Sequence, residues 1–228
     1  MNRAALPLAL ALVAATAVAG VIEVPLKLPL KPRLALAEGE TLALAPFIIA
    51  ADDQDTRGRS GRVDVQGEFS RYLRKQIAKS TKLDLVDATD RRPPTADWEE
   101  LQANRDWWRD IAQETGAAYV LSGVIDFDIE DKSGYKTEEY VSPVDGRTYY
   151  RQVLVESTGF VFDIVVAVFD GDTGEKLIEE NFRDFKEFDQ RNYDEILGLF
   201  ENLRALESQL IGIFVSQETS ATRYMFTQ

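Results

Sequence analysis

Asp126, Asp128 and Glu130 alternate with Ile125, Phe127 and Ile129 inside the stretch GAAYVLSGVIDFDIED, Gly116 to Asp131. On an extended chain, side chains two apart share a face. Three carboxylates on one face are hard oxygen ligands of the kind calcium takes. Spaced along a single strand they do not converge on one ion, so the pattern reads first as a solvated face opposite an apolar one. DGDTGE, Asp170 to Glu175, also opens like a calcium loop. Its fifth and sixth positions are Gly174 and Glu175, and Asn181 stands where the bidentate Glu belongs, so it is predicted to be a hairpin turn shaped by Asp172. Gly116 and Gly123 have neither the dinucleotide nor the P-loop spacing and cradle no phosphate. Gly116 is expected to cap a helix in the left-handed region, and Gly123 to let a helix approach the sheet closely.

The chain has no His and no Cys. That removes Ser-His-Asp and Cys-His catalysis, thiolate and imidazole metal sites, disulfides and a lipidated N-terminal Cys. Acid–base chemistry near neutral pH would fall to a perturbed Asp, Glu, Lys or Tyr. A hydrolase working through carboxylates alone is the remaining enzymatic alternative, and no pair of acids stands out for it. The expectation is therefore a non-enzyme with no cofactor and no metal. With a formal net charge of −13 and a pI near 4.6, the chain lacks the basic face a phosphate backbone requires, so nucleic acid is not expected as a partner.

The elements that would carry these residues read as one α/β domain over 41–219. At 45% hydrophobic and 29% charged, its 228 residues suffice for a real core. Thr41 to Ala50 is a buried strand. Val63, Val65, Phe69, Tyr72, Leu73, Ile77 and Ala78 recur at helical spacing. KLDLVDA is a short strand, and Asp97 caps a helix running through Trp108 to Gly116. The acid-bearing strand follows. An inserted hairpin spans about 132–151, with its tip at Pro143 and Asp145-Gly146. One long strand runs from Val153 to Asp170 and turns at DGDTGE into KLIEENFRDFKEF. A final helix from Asp194 uses Ile196, Leu197, Phe200, Leu203, Leu206, Leu210 and Ile213, and 220–228 is a tail. The order βαβαβ, then an antiparallel hairpin or meander, then α predicts a mixed sheet flanked by helices.

Candidate contact residues stand out by type. Trp108 fits the buried face of its helix, and Trp107 falls beside it as the better contact residue. Tyr135, Tyr140, Tyr149 and Tyr150 in the hairpin are either cross-strand pairs or an aromatic contact surface. Residues 20–40 form an extended amphipathic arm. Ile22, Val24, Leu26, Leu28, Leu30, Leu34 and Leu36 lie on one side, and Lys27, Lys31 and Arg33 on the other. Pro25, Pro29 and Pro32 forbid helix. The arm packs on its own domain, pairs with a neighbouring subunit or rests on a membrane surface, and a neighbouring subunit is the reading preferred here.

Ahead of the arm, Arg3, an apolar run and Ala17-Val18-Ala19 compose an export signal cleaved after Ala19. The alternative is a retained anchor over residues 4–22, long enough to span. Lys27, Lys31 and Arg33 count against smooth export.

Two motifs, ETGAAYVLSGVI entering a strand and the later VFDGDTGEKL, carry a resemblance. They are similar to the α/β domain shared by the curli secretion channel family (CsgG), the penicillin-binding-protein activator LpoB, the flagellar protein FlgT and the TolB N-terminal domain. The likeness covers roughly 41–214. It implies a non-enzymatic periplasmic or envelope-associated module acting in assembly, secretion or regulation, with envelope proteins or its own subunits as partners. A subunit of an oligomeric outer-membrane secretion channel is the alternative it carries. The lipobox Cys common in that group is absent.

Overall fold

The structure, a computed structural model, describes residues 20–50 and 63–227. It divides into two units: one takes the chain up to Leu30 together with the stretch from Glu218, and the other is Lys31–Gln217. The first unit is a ribbon of β1 (Gly20–Leu30) and β9 (Gln217–Thr227). Of the expected arm, Gly20–Leu30 is a strand and 31–40 is not. The expected 220–228 tail is, as far as it is described, its partner strand. The leader and the alternative anchor lie almost wholly outside the described residues. Among the described residues, no helix is long and apolar enough to cross a membrane.

The second unit is built on β2 (Thr41–Ile49), α1 (Val65–Ser80), β3 (Asp84–Asp87), α2 (Trp98–Ala103), α3 (Arg105–Thr115), β4 (Tyr119–Asp131), β5 (Gly134–Val141), β6 (Thr148–Val155), β7 (Thr158–Asp170), β8 (Lys176–Phe188) and α4 (Glu195–Ile211). Five strands make one mixed sheet in the order β3-β2-β4-β7-β8. The first two pairings are parallel and the last two antiparallel. The predicted α/β class, with a mixed sheet flanked by helices, holds.

The sheet is covered on both faces at one end. Phe160, Phe162, Ile164, Val166 and Val168 of β7 join Leu42, Leu44 and Phe47 of β2 in a core closed by α1 and α4. Opposite them, Ala43, Ala45, Val120, Ala167 and Phe169 pack against α2 and α3, with Trp108 stacked on Phe169 at 3.9 Å. β2, central and buried on both faces, reads as a continuous apolar run for that reason. Its Pro46 is tolerated because β3 pairs β2 only as far as Leu44, and the β2–β4 register shifts between Leu44 and Phe47. The Ser122 hydroxyl donates to the Pro46 carbonyl across that irregularity at 2.7 Å.

Two boundaries and one buried face differ from expectation. The helix starting at Asp97 is two helices. The Asn104 side chain accepts from the Trp107 N–H and starts α3, while the Leu101 carbonyl receives both the Asn104 N–H and the Trp108 indole N–H. The long strand from Val153 is also two, because its pairing partner changes: β6 pairs β5, whereas β7 pairs β4 and β8. Finally, α4 starts at its Asp194 cap as read, but Ile196 and Leu197 are exposed, and Gly198, Leu199 and Asn202 take the buried face instead. The Phe160 ring lies so close to Gly198 that an added Cβ would meet it at 2.5 Å, and this sets the helix's rotation.

Candidate functional site

The acid ladder sits on β4 facing away from Ile125 and Phe127, which are buried. Asp126 lies opposite Asp163 of β7, and Arg183 of β8 reaches Asp163 at 3.4 Å. The Asp128 carboxylate accepts from the Ile129 N–H, and Glu130 pairs with Lys132. Among the described residues, no group of three or more acidic side chains is placed to hold a metal ion. Three carboxylates of one strand point the same way without meeting.

DGDTGE is the β7–β8 turn, but Asp170 holds it, not Asp172. The Asp170 carboxylate accepts from the Thr173 N–H and hydroxyl, each at 2.8 Å, and from the Asp172 N–H at 3.1 Å. These bonds hold the Asp170 carboxyl below its usual range, the Thr173 amide most of all. Asp172 contributes its backbone and leaves its carboxylate in solvent. Gly174, at φ 68°, packs against the Arg105 carbonyl, where a Cβ would come within 2.2 Å. Gly116 caps α3 at φ 67°, as read. Gly123 does permit a close approach, but by strands and not by a helix. A Cβ there would meet the Val165 carbonyl of β7 at 1.8 Å and the Phe47 ring of β2 at 2.7 Å.

A cleft of about 620 Å³ lies between β4 and the N-terminus of α4, with Ile129, Glu130, Tyr193, Asp194 and Glu195 in its lining. Two of its carboxylates have structural partners. Glu130 binds Lys132, and Asp194 accepts from the Leu197 N–H at 3.0 Å to cap α4. The strongly perturbed groups lie elsewhere. Burial, followed by a 2.7 Å hydrogen bond to Glu207, pushes the Tyr72 hydroxyl far up. The Arg74 guanidinium holds Asp87 down at about 2, aided by Thr89. Both belong to pairs that fasten α1, to α4 in one case and to the end of β3 in the other.

The candidate contact residues are placed in three regions. Trp107 is half-buried, edge-on to Trp108 at 4.4 Å, and completes the α2–α3 packing. Leu26, Leu28 and Leu30 lie on β1, where Leu28 and Leu30 are exposed. The arm's independent part ends there. Arg33 and Leu34 donate backbone N–H groups to the Gly212 and Ile213 carbonyls, Arg33 pairs with Glu180 and covers the Phe182 ring, and Leu34 packs on the core.

The four hairpin tyrosines divide between two faces of β5–β6. Tyr140 and Tyr149 are a directly opposed cross-strand pair, stacked at 5.9 Å, and Arg151 lies over Tyr140. Tyr135, opposite Leu154, and Tyr150, opposite Glu139, point the other way and are 76% and 71% exposed. The cross-strand reading holds for Tyr140 and Tyr149, and Tyr135 and Tyr150 are left facing solvent. Sequence reading missed the clasp at the ribbon's base. There the Ser157 N–H donates to the Ser133 hydroxyl and the Lys132 N–H to the Ser157 carbonyl. A pair of serines flanking a hairpin was its only signal.

The model of the family described as flagellar assembly protein T, middle domain, matches residues 39–196. The chain belongs to this family. Of the families that the two sequence motifs resemble, the flagellar one is therefore established. No curated protein matches. Among solved structures, the chain is similar to the PelC dodecamer from Paraburkholderia phytofirmans at 14% identity and TM-score 0.44, covering 84% of this chain and 98% of that one. It is similar to the LpoB C-terminal domain from Salmonella enterica at 13% identity and TM-score 0.36, covering 65% and 84%. A lipoprotein from Neisseria meningitidis matches at 13% identity and TM-score 0.41, covering 75% and 97%. The flagellar assembly family match ends within the first turn of α4, so the remainder of that helix and β9 lie beyond it.

Proposed function

We propose that this chain is a non-enzymatic assembly module of the bacterial envelope, exported to the periplasm and acting through protein–protein contacts made by its ribbons. One observation carries the reading: among the described residues, most of the exposed large apolar side chains gather on β5–β6 and on β1–β9, with Ile49, Leu177, Phe185, Ile196 and Leu197 outside them. Tyr135, Tyr150, Val141, Val144 and Leu154 are exposed on the first ribbon, and Leu28, Leu30, Tyr224 and Met225 on the second. A two-stranded ribbon is marginal in water by itself, and apolar faces of this kind gain stability when a partner covers them. Tyrosine supplies large contact area at low entropic cost. The assembly role in the family's description agrees with that geometry, and the Ala17-Val18-Ala19 motif agrees with export. Partners are envelope proteins or further copies of the chain.

The secretion-channel alternative requires β5–β6 to present an apolar stripe to lipid. Lys136 and Glu138 stand on one face of the ribbon and Glu139 on the other, so neither face offers it.

The test pairs Tyr135→Ser/Tyr150→Ser with Leu28→Ser/Leu30→Ser in the full chain. Exposed sites of this kind cost within about 0.5 kcal/mol each, so both variants should melt like wild type. Their native-gel assemblies in envelope extract should be lost. Assemblies that survive both double substitutions would refute the reading.

A further inference from the structure

The two outer edges of the β5–β6 ribbon differ in kind. Exposed sheet edges usually avoid pairing by charge, shortness or irregularity. β8, at one edge of the main sheet, carries Lys176, Glu179, Glu180, Arg183, Asp184, Lys186 and Glu187, and β3 at the other edge is four residues long with Asp at each end. β5 carries Lys136, Glu138 and Glu139. β6, TYYRQVLV, has no Pro, no Gly and no register shift against β5. Its one charge, Arg151, is drawn to Tyr140 at 5.4 Å and Glu138 at 3.4 Å on the face away from Tyr150.

The backbone direction of that open edge is fixed at both ends of the ribbon. The Lys132 N–H donates to the Ser157 carbonyl at 3.0 Å, and the Ser142 N–H to the Arg147 carbonyl at 2.8 Å. Hydrogen-bonded and non-bonded pairs alternate along an antiparallel ladder. The bonded pairs are therefore Tyr140 with Tyr149, Glu138 with Arg151 and Lys136 with Val153. Tyr150, Gln152 and Leu154 turn their N–H and C=O groups outward.

We propose that β6 pairs with β6 of a second copy of this chain, antiparallel about a two-fold axis at Gln152. In that register Tyr150 of each copy faces Leu154 of the other, and Arg151 faces Val153. Centring one residue earlier would set Arg151 against Arg151, and like charges directly opposite are destabilising. Charge also favours this meeting point. From Gly134 to Val155, Lys136, Arg147 and Arg151 balance Glu138, Glu139 and Asp145, in a chain whose formal charge is −13. Two copies repel each other least where the local charge is balanced. The product is a four-stranded sheet with Tyr135, Tyr150 and Leu154 continuous on one face, past the strand number at which a sheet is stable alone. The inference rests on the contact reading above and names the occupant of one ribbon.

The chain's lack of Cys makes the test clean. Directly opposed bonded residues have Cα atoms about 5.5 Å apart, within the disulfide range of roughly 4.4–6.8 Å. Under mild oxidation Gln152→Cys should become a disulfide-linked dimer. Thr137→Cys, opposite Gln152 on the β5 side, should form no disulfide-linked dimer. Wild type should sediment as a dimer. Gln152→Pro should be a folded monomer by sedimentation and circular dichroism, because the N–H it removes makes no bond inside the ribbon. Equal cross-linking at 137 and 152 would overturn the proposal, as would a monomeric wild type or an oligomer whose size Gln152→Pro leaves unchanged. If only this inference fails, Gln152→Pro keeps its envelope assembly while Tyr135→Ser/Tyr150→Ser loses it.

Discussion

Replacing Gly123 with Ala adds one methyl group where the sheet has no room for it. The new Cβ would stand 1.8 Å from the Val165 oxygen, 2.9 Å from the Val165 carbon and 2.7 Å from Phe47 Cε1. A carbon and a carbonyl oxygen rest at about 3.3 Å, so β7 or β4 must shift by about 1.5 Å. Neighbouring strands are held roughly 4.8 Å apart by their ladder. A shift of that size weakens one or two ladder bonds of about 0.5–1.5 kcal/mol each, on top of about 1–3 kcal/mol for overpacking. The stiffer unfolded chain returns about 0.4–1 kcal/mol. The net loss spans about 0.5–5.5 kcal/mol and centres near 3, which at this chain length is a fall of about 6–12 °C in melting temperature. Gly134→Ala is the control, since a Cβ there meets nothing within 4 Å. Its melting temperature should match wild type. Circular dichroism melts of the three proteins decide the matter. Gly123→Ala melting with wild type, or falling together with Gly134→Ala, would refute the steric account of the β4–β7 pairing.

Asp170→Ala should cost about 1–2 kcal/mol in urea unfolding, through three lost hydrogen bonds to the turn. Asp172→Ala should cost less than about 0.5 kcal/mol. Asn104→Ala should cost about 0.5–2 kcal/mol as a lost helix cap, with the change seen in Trp fluorescence because Trp107 and Trp108 begin α3. Asp87 is held at about 2, below its ordinary 3.8, mainly by Arg74. Its contribution is therefore complete above pH 3.8 and lost as pH falls through about 2. The pair is substantially exposed, so Asp87→Asn should remove no more than about 1 kcal/mol of acid-dependent stability over that window, read as a flatter stability–pH curve.

Elements with one strong periodic signal were legible in the sequence. α1 follows from Val65, Phe69, Leu73 and Ile77, and β7 from its alternating Phe160 to Val168. The Gly116 cap and the β7–β8 turn were legible because each needs a residue type that few sites accept. What escaped depends on contacts between distant segments. Asn104 divides a run that looks helical throughout, because the Leu101 carbonyl turns to the Trp108 indole. β6 and β7 look like one strand until each is seen to have a different neighbour. Whether Asp170 or Asp172 holds the turn is a matter of which carboxylate folds back over Thr173, and spacing alone does not decide it. The tyrosines show the same limit. Register, not composition, pairs Tyr140 with Tyr149 and leaves Tyr135 and Tyr150 facing solvent.

The proposed module works through its ribbons. Site-specific photo-crosslinking in the native envelope tests it most directly, with a photoreactive residue placed in turn at Tyr150, at Leu28 and at Thr173, an exposed position on the β7–β8 turn. Discrete high-mass adducts are expected from positions 150 and 28 and none from 173. Adducts of equal yield at all three positions, or adducts from 173 alone, would contradict it.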